Sequence, residues 1–358
     1  MIVCDESKSF IDTLDIKLKI ITKQDIVLTN YKHNIKSKYL YIMLTSGTTG
    51  KPKAIPIKED NLLNYIIFTI NKFNINQNDV VSQTFDISFD LSIHDIFTTF
   101  LSGARLVPIQ KEHLFIPNKI IKKEKITIWF SVPSIIIYMN KLGLLKDRFE
   151  TIRLSLFCGE ALSTYIAEKW QKCIYNTDVY NLYGPTETTI AIFYHKLKPK
   201  KYKTSTIPIG KIFDNNEYLI KDNELLIAGE QIFDGYLNST DNFEIIDNKN
   251  YYKTGDLVKE TKFGLLYNGR IDEQIKLNGY RIELTEIENK IRQKGIVCAC
   301  IFDERDNCLV LFSEIKVDIE GLFPKYMQPK KVIVIDKLPL NINGKFDKNK
   351  LKEKLWKN

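Results

Sequence analysis

The sequence predicts an α/β protein in which a parallel sheet is followed by a small antiparallel β region and a C-terminal α+β domain. In the first half of the chain, apolar strand-like runs alternate with helical patterns, as expected of a parallel sheet covered by helices. The runs are 79–85, 126–132, 153–157 and 178–184, and the clearest helical patterns cover 60–72 and 160–173.

The second half of the chain has a different pattern. From about 205 to 268, short strands are joined by Asn, Asp and Gly turns, which is typical of antiparallel hairpins. The run "GRIDEQIK" at 269–276 then leads into the C-terminal segment. There we predict a helix over 284–293 and strands near 296–302 and 308–313.

The composition argues against several classes of protein. The 358 residues include 52 Lys and Arg against 44 Asp and Glu, a net charge of +8. The excess is diffuse, and its densest cluster, 195–203, is typical of a solvated loop and not of a nucleic-acid groove. The six cysteines have no paired CxxC spacing, so we expect a reducing cytoplasm and neither a zinc site nor a disulfide framework. We expect no signal peptide and no membrane span.

The segment "TSGTTGK" at 45–51 lies between two apolar strand-like runs. Its glycines let the backbone approach a ligand, and its N–H groups, hydroxyls and lysine supply donors, which favours phosphate binding. It is not the P-loop of nucleotidases, because only two residues separate Gly47 from Gly50. A Gly/Thr-rich hairpin turn is the alternative.

Two further stretches carry side chains suited to a nucleotide. "NLYGPTETTI" ends a predicted strand, where ligands of open α/β sheets bind. Tyr183 offers a flat face for a base there, and Glu187 a carboxylate suited to Mg²⁺. In "YYKTGDL", Asp256 could accept both hydroxyls of a ribose. Each stretch alone is also compatible with an ordinary turn.

Two stretches near the C-terminus complete the set. "GRIDEQIKLNGYRIE" at 269–283 is unusually rich in charged residues and glycine. "LPLNINGKFDKNKL" places Lys345 in a short turn.

Together and in this order, the motifs resemble those of the adenylate-forming superfamily, which contains acyl-CoA synthetases, firefly luciferase and the adenylation domains of nonribosomal peptide synthetases. The matching stretches, between residues 41 and 351, are "TSGTTGKPK", "FDLSIHDIF", "FCGEAL", "YGPTETT", "YKTGDL", "GRIDEQIKLNGYRIE" and "NGKFDKNKL". The resemblance implies an adenylate-forming core at 1–268, a hinge at 269–273 and a mobile C-terminal lid domain at 274–358.

The resemblance also implies a two-step reaction with ATP and Mg²⁺. A substrate carboxylate attacks the α-phosphate of ATP, and a thiol, usually the phosphopantetheine arm of a carrier protein or CoA, then takes the acyl group. Glu187 is expected to hold Mg²⁺, Lys345 to bridge the substrate carboxylate and the α-phosphate, and Asp272 to act as the hinge. The residues expected to bind ATP or AMP are Thr45, Ser46, Gly47, Thr48, Thr49, Gly50, Lys51, Gly159, Glu160, Asn181, Gly184 and Thr186, with Tyr183 stacked on adenine and Asp256 and Arg270 at the ribose.

The doubled FDxS at 85–92 bears on the substrate. Members of the superfamily that activate amino acids carry an aspartate here that pairs with the substrate ammonium. Asp90 is the better match because a helical stretch follows it, and Asp86 is the alternative; a helix-capping role for Asp90 is the structural alternative. The residues expected to bind the substrate are Asp90, Leu91, His94, Phe130, Cys158, Leu182 and Ile190.

These positions are bulky and mostly apolar, which favours a small substrate. "FCGEAL" resembles the D-alanine–carrier-protein ligases, whereas His94 departs from the apolar residue expected there and could favour a polar side chain. The predicted activity is ATP-dependent activation of a small, D-alanine-like amino acid and its transfer to a carrier protein. The alternatives are an acyl-CoA synthetase for a small acid and an inactive homologue that binds a nucleotide or a partner.

The N-terminal region departs from the superfamily pattern. Only about 40 residues precede the phosphate loop, where superfamily members carry a large N-terminal subdomain. We therefore expect an incomplete core with exposed apolar surface, which a separate chain could cover.

Overall fold

In the computed structural model, the described residues are 37–45, 52–114, 116–174, 177–198, 202–239, 242–271, 274–292, 294, 296–340 and 346–357. The backbone packs into two compact units. The larger, here the core unit, runs from Lys53 to Gly269 and includes residues 37–44. The smaller, here the C-terminal unit, contains Arg270 and the residues after it.

The main sheet of the core unit is mixed. The first strands described are β1 (Tyr41–Thr45), β2 (Lys53–Ile57), β3 (Val80–Gln83), β4 (Arg105–Pro108), β5 (Ile128–Ser131), β6 (Leu154–Phe157), β7 (Asp178–Tyr183), β8 (Phe193–Lys196) and β9 (Lys211–Ile212). β1 pairs with β2, and the other seven form one sheet in the order β4-β3-β5-β6-β7-β8-β9. β3 to β7 run parallel, as the sequence predicts, and β8 and β9 add an antiparallel extension.

Helices alternate with these strands. Those described in the core unit are α1 (Glu59–Phe73), α2 (Asp90–Leu101), α3 (Asn118–Glu124), α4 (Pro133–Lys141) and α5 (Thr164–Cys173), with 3₁₀ turns at Lys111–His113 and Thr186–Thr188. α1 begins with acidic residues that complement the helix dipole. Its C-cap residue is Asn74, whose φ of 50° lies in the left-handed region. The predicted start of the helix over 160–173 is wrong by four residues. Gly159, with φ 91°, turns the chain, and the helix begins only at Thr164.

The second sheet of the core unit consists of hairpins. Its described strands are β10 (Asn216–Lys221), β11 (Glu224–Gly229), β12 (Phe243–Ile246), β13 (Lys249–Thr261) and β14 (Gly264–Arg270), in the order β10-β11-β13-β12, with β14 on β13. Two hairpins turn on the pairs Asp222-Asn223 and Asp247-Asn248, all four at positive φ. Such pairs give the backbone twist that two-residue hairpins need, so the predicted Asn/Asp turns are confirmed.

The C-terminal unit is α+β. Its described elements are β15 (Gln274–Leu277), β16 (Tyr280–Glu283), α6 (Leu284–Arg292), β17 (Cys298–Asp303), β18 (Cys308–Ser313), a 3₁₀ turn at Lys325–Met327, β19 (Lys331–Val334) and α7 (Lys348–Lys357). β17 pairs antiparallel with β18, and β18 parallel with β19. Ile287 and Ile291 of α6 are fully buried in the apolar core of this unit.

Two tryptophans lie at the centre of the core unit. Trp129 and Trp170 are fully buried, with ring centroids 5.9 Å apart. The indole N–H of Trp129 donates to Ser131 Oγ, and that of Trp170 to Ser155 Oγ, both at 2.9 Å. Both buried donors are therefore satisfied, as a close-packed interior requires.

The cysteines in the described part of the chain are all free and buried. They are Cys158, Cys173, Cys298, Cys300 and Cys308. Burial raises the pKa of the Cys173 and Cys298 thiols to about 11. Among the described residues, no helix combines the length and the apolar character needed to cross a membrane.

Candidate functional site

The carboxyl ends of β5, β6 and β7 lie side by side, because these strands are parallel neighbours. The chain leaves β6 through Cys158 and Gly159, and β7 through Gly184. Ligands of open α/β sheets bind at such an edge. The sheet thus brings residues predicted for the nucleotide and for the substrate to one edge.

Gly184 has no room for a side chain. A Cβ at this position would lie 2.6 Å from the Cα of Ala191 and 3.0 Å from the backbone nitrogen of Ile192. The close approach of these two backbone segments fixes the turn after β7, so glycine is required here for space.

Tyr183 and Asp256 contact each other directly. The Tyr183 hydroxyl donates to Asp256 Oδ2, and both side chains are buried. The Asp256 backbone N–H donates to Thr254 Oγ1 at 3.0 Å, which holds the aspartate in place on β13. The Tyr267 ring lies 6.4 Å from that of Tyr183. The residues predicted to contact adenine and ribose are therefore neighbours, whereas Arg270, the last residue of β14, belongs to the C-terminal unit.

Asn181 presents a buried acceptor at the end of β7. Its side-chain N–H₂ donates to the carbonyl oxygens of Ile207 and Pro208, at 3.3 and 3.0 Å. Its Oδ1 is buried and has no hydrogen-bond partner among the described residues. Since unpaired buried acceptors are uncommon, this oxygen suits a ligand donor such as an adenine amino group.

Glu160, which was predicted to contact the nucleotide, forms a tertiary contact with the start of a helix. Its Oε2 accepts a hydrogen bond from the backbone N–H of Ser134 at 2.9 Å, at the start of α4. A carboxylate at a helix N-terminus is stabilised by the free N–H groups and the helix dipole. The structure thus gives Glu160 a helix-stabilising contact that the sequence did not predict.

Glu187 is a fully buried carboxylate on the 3₁₀ turn after β7. The hydroxyl of Tyr236 donates to its Oε1 at 2.7 Å, and the hydroxyl of Tyr252 lies 3.3 Å from that of Tyr236. Half-buried Thr186 opens the same turn. No group of three or more His, Cys, Asp or Glu that could hold a metal occurs in the described residues. Mg²⁺ shared with substrate phosphates needs only one or two carboxylates, so a single buried Glu187 fits it.

The predicted substrate residues form a buried group beside β5 and β6. Asp90 is the first residue of α2 and only 9% exposed. The His94 ring lies 4.2 Å from that of Phe130, and a Cβ on Gly159 would lie 3.2 Å from Leu91 Cδ1. The group therefore combines one carboxylate and one imidazole with an apolar lining.

Two tyrosines that the sequence did not reveal, fully buried Tyr65 and partly buried Tyr41, pack in the same apolar core. Burial raises the pKa of Tyr41 well above its ordinary value, and the charge of Asp90 raises it further. The pKa of Tyr65 is raised in the same way, by burial first and then by Cys158, with smaller contributions from Asp90 and Asp95. Of the two, Tyr65 contacts the group directly, since its ring packs against that of His94 with centroids 5.8 Å apart.

His94 is buried as a neutral imidazole. Its Nδ1 lies 2.7 Å from the Tyr65 hydroxyl, and burial lowers its pKa to about 3. Its Nε2 has no hydrogen-bond partner among the described residues. One ring nitrogen is thus engaged by the protein and the other is left for a polar neighbour.

The other end of the turn after β7 is strained. Leu182 and Ile190 are both buried, and Ile190 has φ 74°, which is unfavourable for a β-branched residue. Thr189, with φ 57°, donates from Oγ1 to the carbonyl oxygen of Gln231 at 2.6 Å. The Gln231 side chain donates in turn to the carbonyl oxygen of Ala191 at 2.9 Å. Gln231 therefore holds this turn in a conformation it would not adopt alone.

The structure distinguishes the two aspartates of the doubled FDxS. Asp86 Oδ1 accepts hydrogen bonds from the backbone and hydroxyl of Ser88, and Lys111 lies 3.0 Å from Oδ2. Asp86 thus has local partners on a more exposed loop, whereas Asp90 lies in the first turn of α2 and is buried. The helix-capping alternative for Asp90 is wrong, because the N-cap of α2 is Phe89.

Part of the predicted site lies outside the described residues: Ser46, Gly47, Thr48, Thr49, Gly50, Lys51, Asp272 and Lys345. Thr45 is the last residue of β1. On either side of 341–345, Leu340 and Phe346 form an antiparallel bridge. Lys348 then pairs with buried Glu288 at 2.9 Å, so α7 is tied to α6.

The sequence did not predict the contact between Tyr236 and Glu187, because the two residues are 49 positions apart in the chain. The one sequence feature that could have indicated this contact is the stretch "FDGYLN" at 233–238, in which a tyrosine follows a glycine in a turn between strands. Buried tyrosines usually find a polar partner, but the sequence does not say which.

Comparisons with known proteins agree on one family. The profile of the family described as "AMP-binding enzyme" matches residues 8–237. A D-alanine–D-alanyl carrier protein ligase from Bacillus cytotoxicus is 30% identical over 90% of this chain and 72% of its own length. Among solved structures, the Vibrio cholerae adenylation domain AlmE, in complex with glycyl-adenosine-5'-phosphate, is 31% identical with a TM-score of 0.82, over 90% of this chain and 68% of that one. An NRPS protein containing adenylation and PCP domains is 25% identical with a TM-score of 0.75, over 88% and 60%.

Proposed function

Because this chain belongs to the family of AMP-binding enzymes, we propose that it activates a small amino acid with ATP and passes it to a carrier protein. In the first step, the amino-acid carboxylate attacks the α-phosphate of ATP, which gives an aminoacyl-adenylate and pyrophosphate. In the second, the thiol of a phosphopantetheine arm attacks the acyl carbon and releases AMP. Both steps bring anionic groups together, so positioning and electrostatic stabilisation dominate.

The observation that carries the proposal is the Asp90 carboxylate, which is 9% exposed at the start of α2, next to the buried side chain of Leu91. A buried carboxylate requires a cation or hydrogen bonds. An amino acid carries an ammonium group with which a carboxylate at this position can form an ion pair, whereas a plain carboxylic acid has no such group. The position of Asp90 therefore supports an amino acid as the substrate, and we propose that Asp90 selects for its ammonium group.

The bulk of the surrounding side chains supports a small substrate. Phe130 and Cys158 are almost fully buried, Leu91 packs towards Gly159, and Leu182 and Ile190 are buried nearby. One relative is named for D-alanine, and the solved adenylation domain AlmE is in complex with a glycyl adenylate. We therefore propose a D-alanine-like substrate, with glycine, L-alanine and serine next in preference.

The nucleotide would lie at the carboxyl ends of β6 and β7. Tyr183 would stack on adenine, and Asn181 Oδ1 would accept from its amino group. Asp256 would bind the ribose together with Arg270. The open acceptor of Asn181 and the buried carboxylate of Asp256 support these roles.

The remaining roles concern the phosphates. Glu187 would hold Mg²⁺, which when bound neutralises phosphate charge. The loop at 45–51 would bind the β- and γ-phosphates through N–H, hydroxyl and ammonium donors. Lys345 would place its ammonium between the attacking carboxylate and the α-phosphate.

ATP–pyrophosphate exchange across a panel of D- and L-amino acids tests this function. We expect exchange with small amino acids and without CoA, and thioester formation on a phosphopantetheinylated carrier protein. Asp90→Asn should remove the preference for amino acids, and Asp86→Asn is its matched control. Exchange driven best by a plain acid, or by a large aromatic amino acid, would contradict the proposed substrate class. The absence of exchange with every acid would contradict the activity itself.

A further inference from the structure

Tyr236 is a partly buried residue that contacts Glu187 from a distant part of the chain. Its hydroxyl donates to Glu187 Oε1 at 2.7 Å. The backbone N–H of Phe233, three residues earlier, donates to the carbonyl oxygen of Glu187 at 3.0 Å. The segment therefore holds Glu187 by both its backbone and its carboxylate.

Tyr236 is itself held on several sides. Its ring packs edge-on against Phe233, with centroids 4.9 Å apart, and Lys53 Nζ lies 5.0 Å above it. The chain that follows is attached to β2, because Leu237 N–H donates to the Ala54 carbonyl oxygen at 3.1 Å. Ring contacts and backbone bonds thus fix the hydroxyl independently of its bond to the carboxylate.

We propose that Tyr236 is a positioning residue that holds the Glu187 carboxylate in the orientation used for Mg²⁺·ATP. This inference rests on the proposed function, which assigns Mg²⁺ to Glu187. A hydroxyl that donates to a carboxylate oxygen restricts the orientation of that carboxylate.

The competing explanation is that the pair only stabilises the fold. A purely structural hydroxyl would change the thermal midpoint of unfolding and would weaken all nucleotide binding alike. A positioning hydroxyl would act on the part of ATP binding that depends on Mg²⁺. The two explanations therefore differ in the ratio of ATP affinities measured with Mg²⁺ and with a chelator.

The test is calorimetric binding of ATP to the full chain without an amino acid, in MgCl₂ and in EDTA. Tyr236→Phe keeps the ring and removes only the hydroxyl. Tyr251→Phe is the matched control, since it removes a tyrosine hydroxyl on β13 that also donates to a carboxylate, that of Glu217. We expect Tyr236→Phe to weaken Mg²⁺·ATP about tenfold, the loss typical of a hydrogen bond to a charged group, and to leave ATP in EDTA unchanged. Tyr251→Phe should change neither affinity.

Glu187→Gln and the double variant Glu187→Gln/Tyr236→Phe test the role of Tyr236 separately from the assignment of Mg²⁺ to Glu187. If Glu187→Gln abolishes the Mg²⁺ effect and Tyr236→Phe leaves it intact, Tyr236 has no positioning role and the metal assignment stands. If the wild type and Glu187→Gln respond equally to Mg²⁺, the metal assignment fails and the inference fails with it. An equal loss in MgCl₂ and EDTA for Tyr236→Phe, with a lower thermal midpoint, would establish the structural explanation instead. Adding Tyr236→Phe to Glu187→Gln should cost no further Mg²⁺-dependent affinity.

Discussion

Replacing His94 with methionine should make the core unit less sensitive to acid. His94 is fully buried, and burial lowers its pKa to about 3. Methionine fills a similar volume, packs well against aromatic rings and cannot be protonated. The substitution therefore removes one titrating group from the interior with little change in packing.

The size of the effect follows from the difference between the pKa values of the folded and unfolded states. In the unfolded chain His94 returns to its ordinary pKa of 6.5 and binds a proton below it, whereas the folded chain does not until about pH 3. The unfolded state thus binds more protons in this window, so the free energy of unfolding falls as the pH falls. Near pH 5, about 1.5 units below the ordinary pKa, His94 should account for a loss of about 2 kcal/mol relative to neutral pH.

Tryptophan fluorescence during urea unfolding is the suitable assay, because Trp129 and Trp170 are both fully buried in the core unit. The measurement compares neutral pH with about pH 5 for the wild type and for His94→Met. Other buried groups titrate too. Burial raises the pKa of neighbouring Asp95, for example, and it lowers the pKa of His195 to about 4. Both groups are present in wild type and variant, so the difference between the two proteins isolates His94.

His113→Gln is the matched control, since this histidine is exposed on a 3₁₀ turn. It should lose as much stability on acidification as the wild type. If His94→Met also loses as much as the wild type between the two pH values, the buried neutral imidazole is not a determinant of acid stability and the reasoning is refuted.

Four further outcomes can be measured directly. Asp90→Ala should raise the KM for the amino acid far more than that for ATP, and a larger effect from Asp86→Ala would shift the assignment by four residues. Lys345→Ala should slow pyrophosphate exchange by about 10²–10³ while calorimetric ATP binding stays near normal; a threefold effect would mean the lysine is misassigned. Asp272→Pro should spare pyrophosphate exchange and block thioester formation, because proline restricts rotation at a hinge; equal loss of both steps would indicate misfolding. Gly184→Ala should destabilise the core by about 1–3 kcal/mol in urea unfolding, because the added Cβ meets backbone, and an unchanged midpoint would show that the turn can relax.

Local chemistry in the sequence predicted much of the fold. The run at 126–132 became β5 at Ile128–Ser131, and the Asp-Asn pairs became hairpin turns, because each depends on residues that are neighbours in the chain. The start of α5 was missed because the turn at Gly159 displaces the helix and gives Glu160 a tertiary partner. The antiparallel strands β8 and β9 were not predicted for a similar reason, because the local β propensity of a segment does not determine which strand it pairs with.

The same limit applies to the candidate site. Sequence order placed Asn181, Tyr183 and Glu187 at one strand end, and the structure describes them there. The hydroxyl of Tyr236 on Glu187, and that of Tyr65 on His94, join segments separated by 49 and 29 residues. Such pairs depend on how the core closes, and no spacing rule predicts them.

The buried cysteines have a consequence for the chemistry proposed. An aminoacyl-adenylate is a reactive acylating agent, and a thiolate is the form of cysteine that it would modify. The described thiols are shielded from solvent, and those of Cys173 and Cys298 stay protonated at neutral pH because their pKa is about 11. These two thiols are therefore poor competing acceptors for the activated acyl group. Faithful transfer of the acyl group would then depend on the low reactivity of these protein thiols as well as on recognition of the carrier.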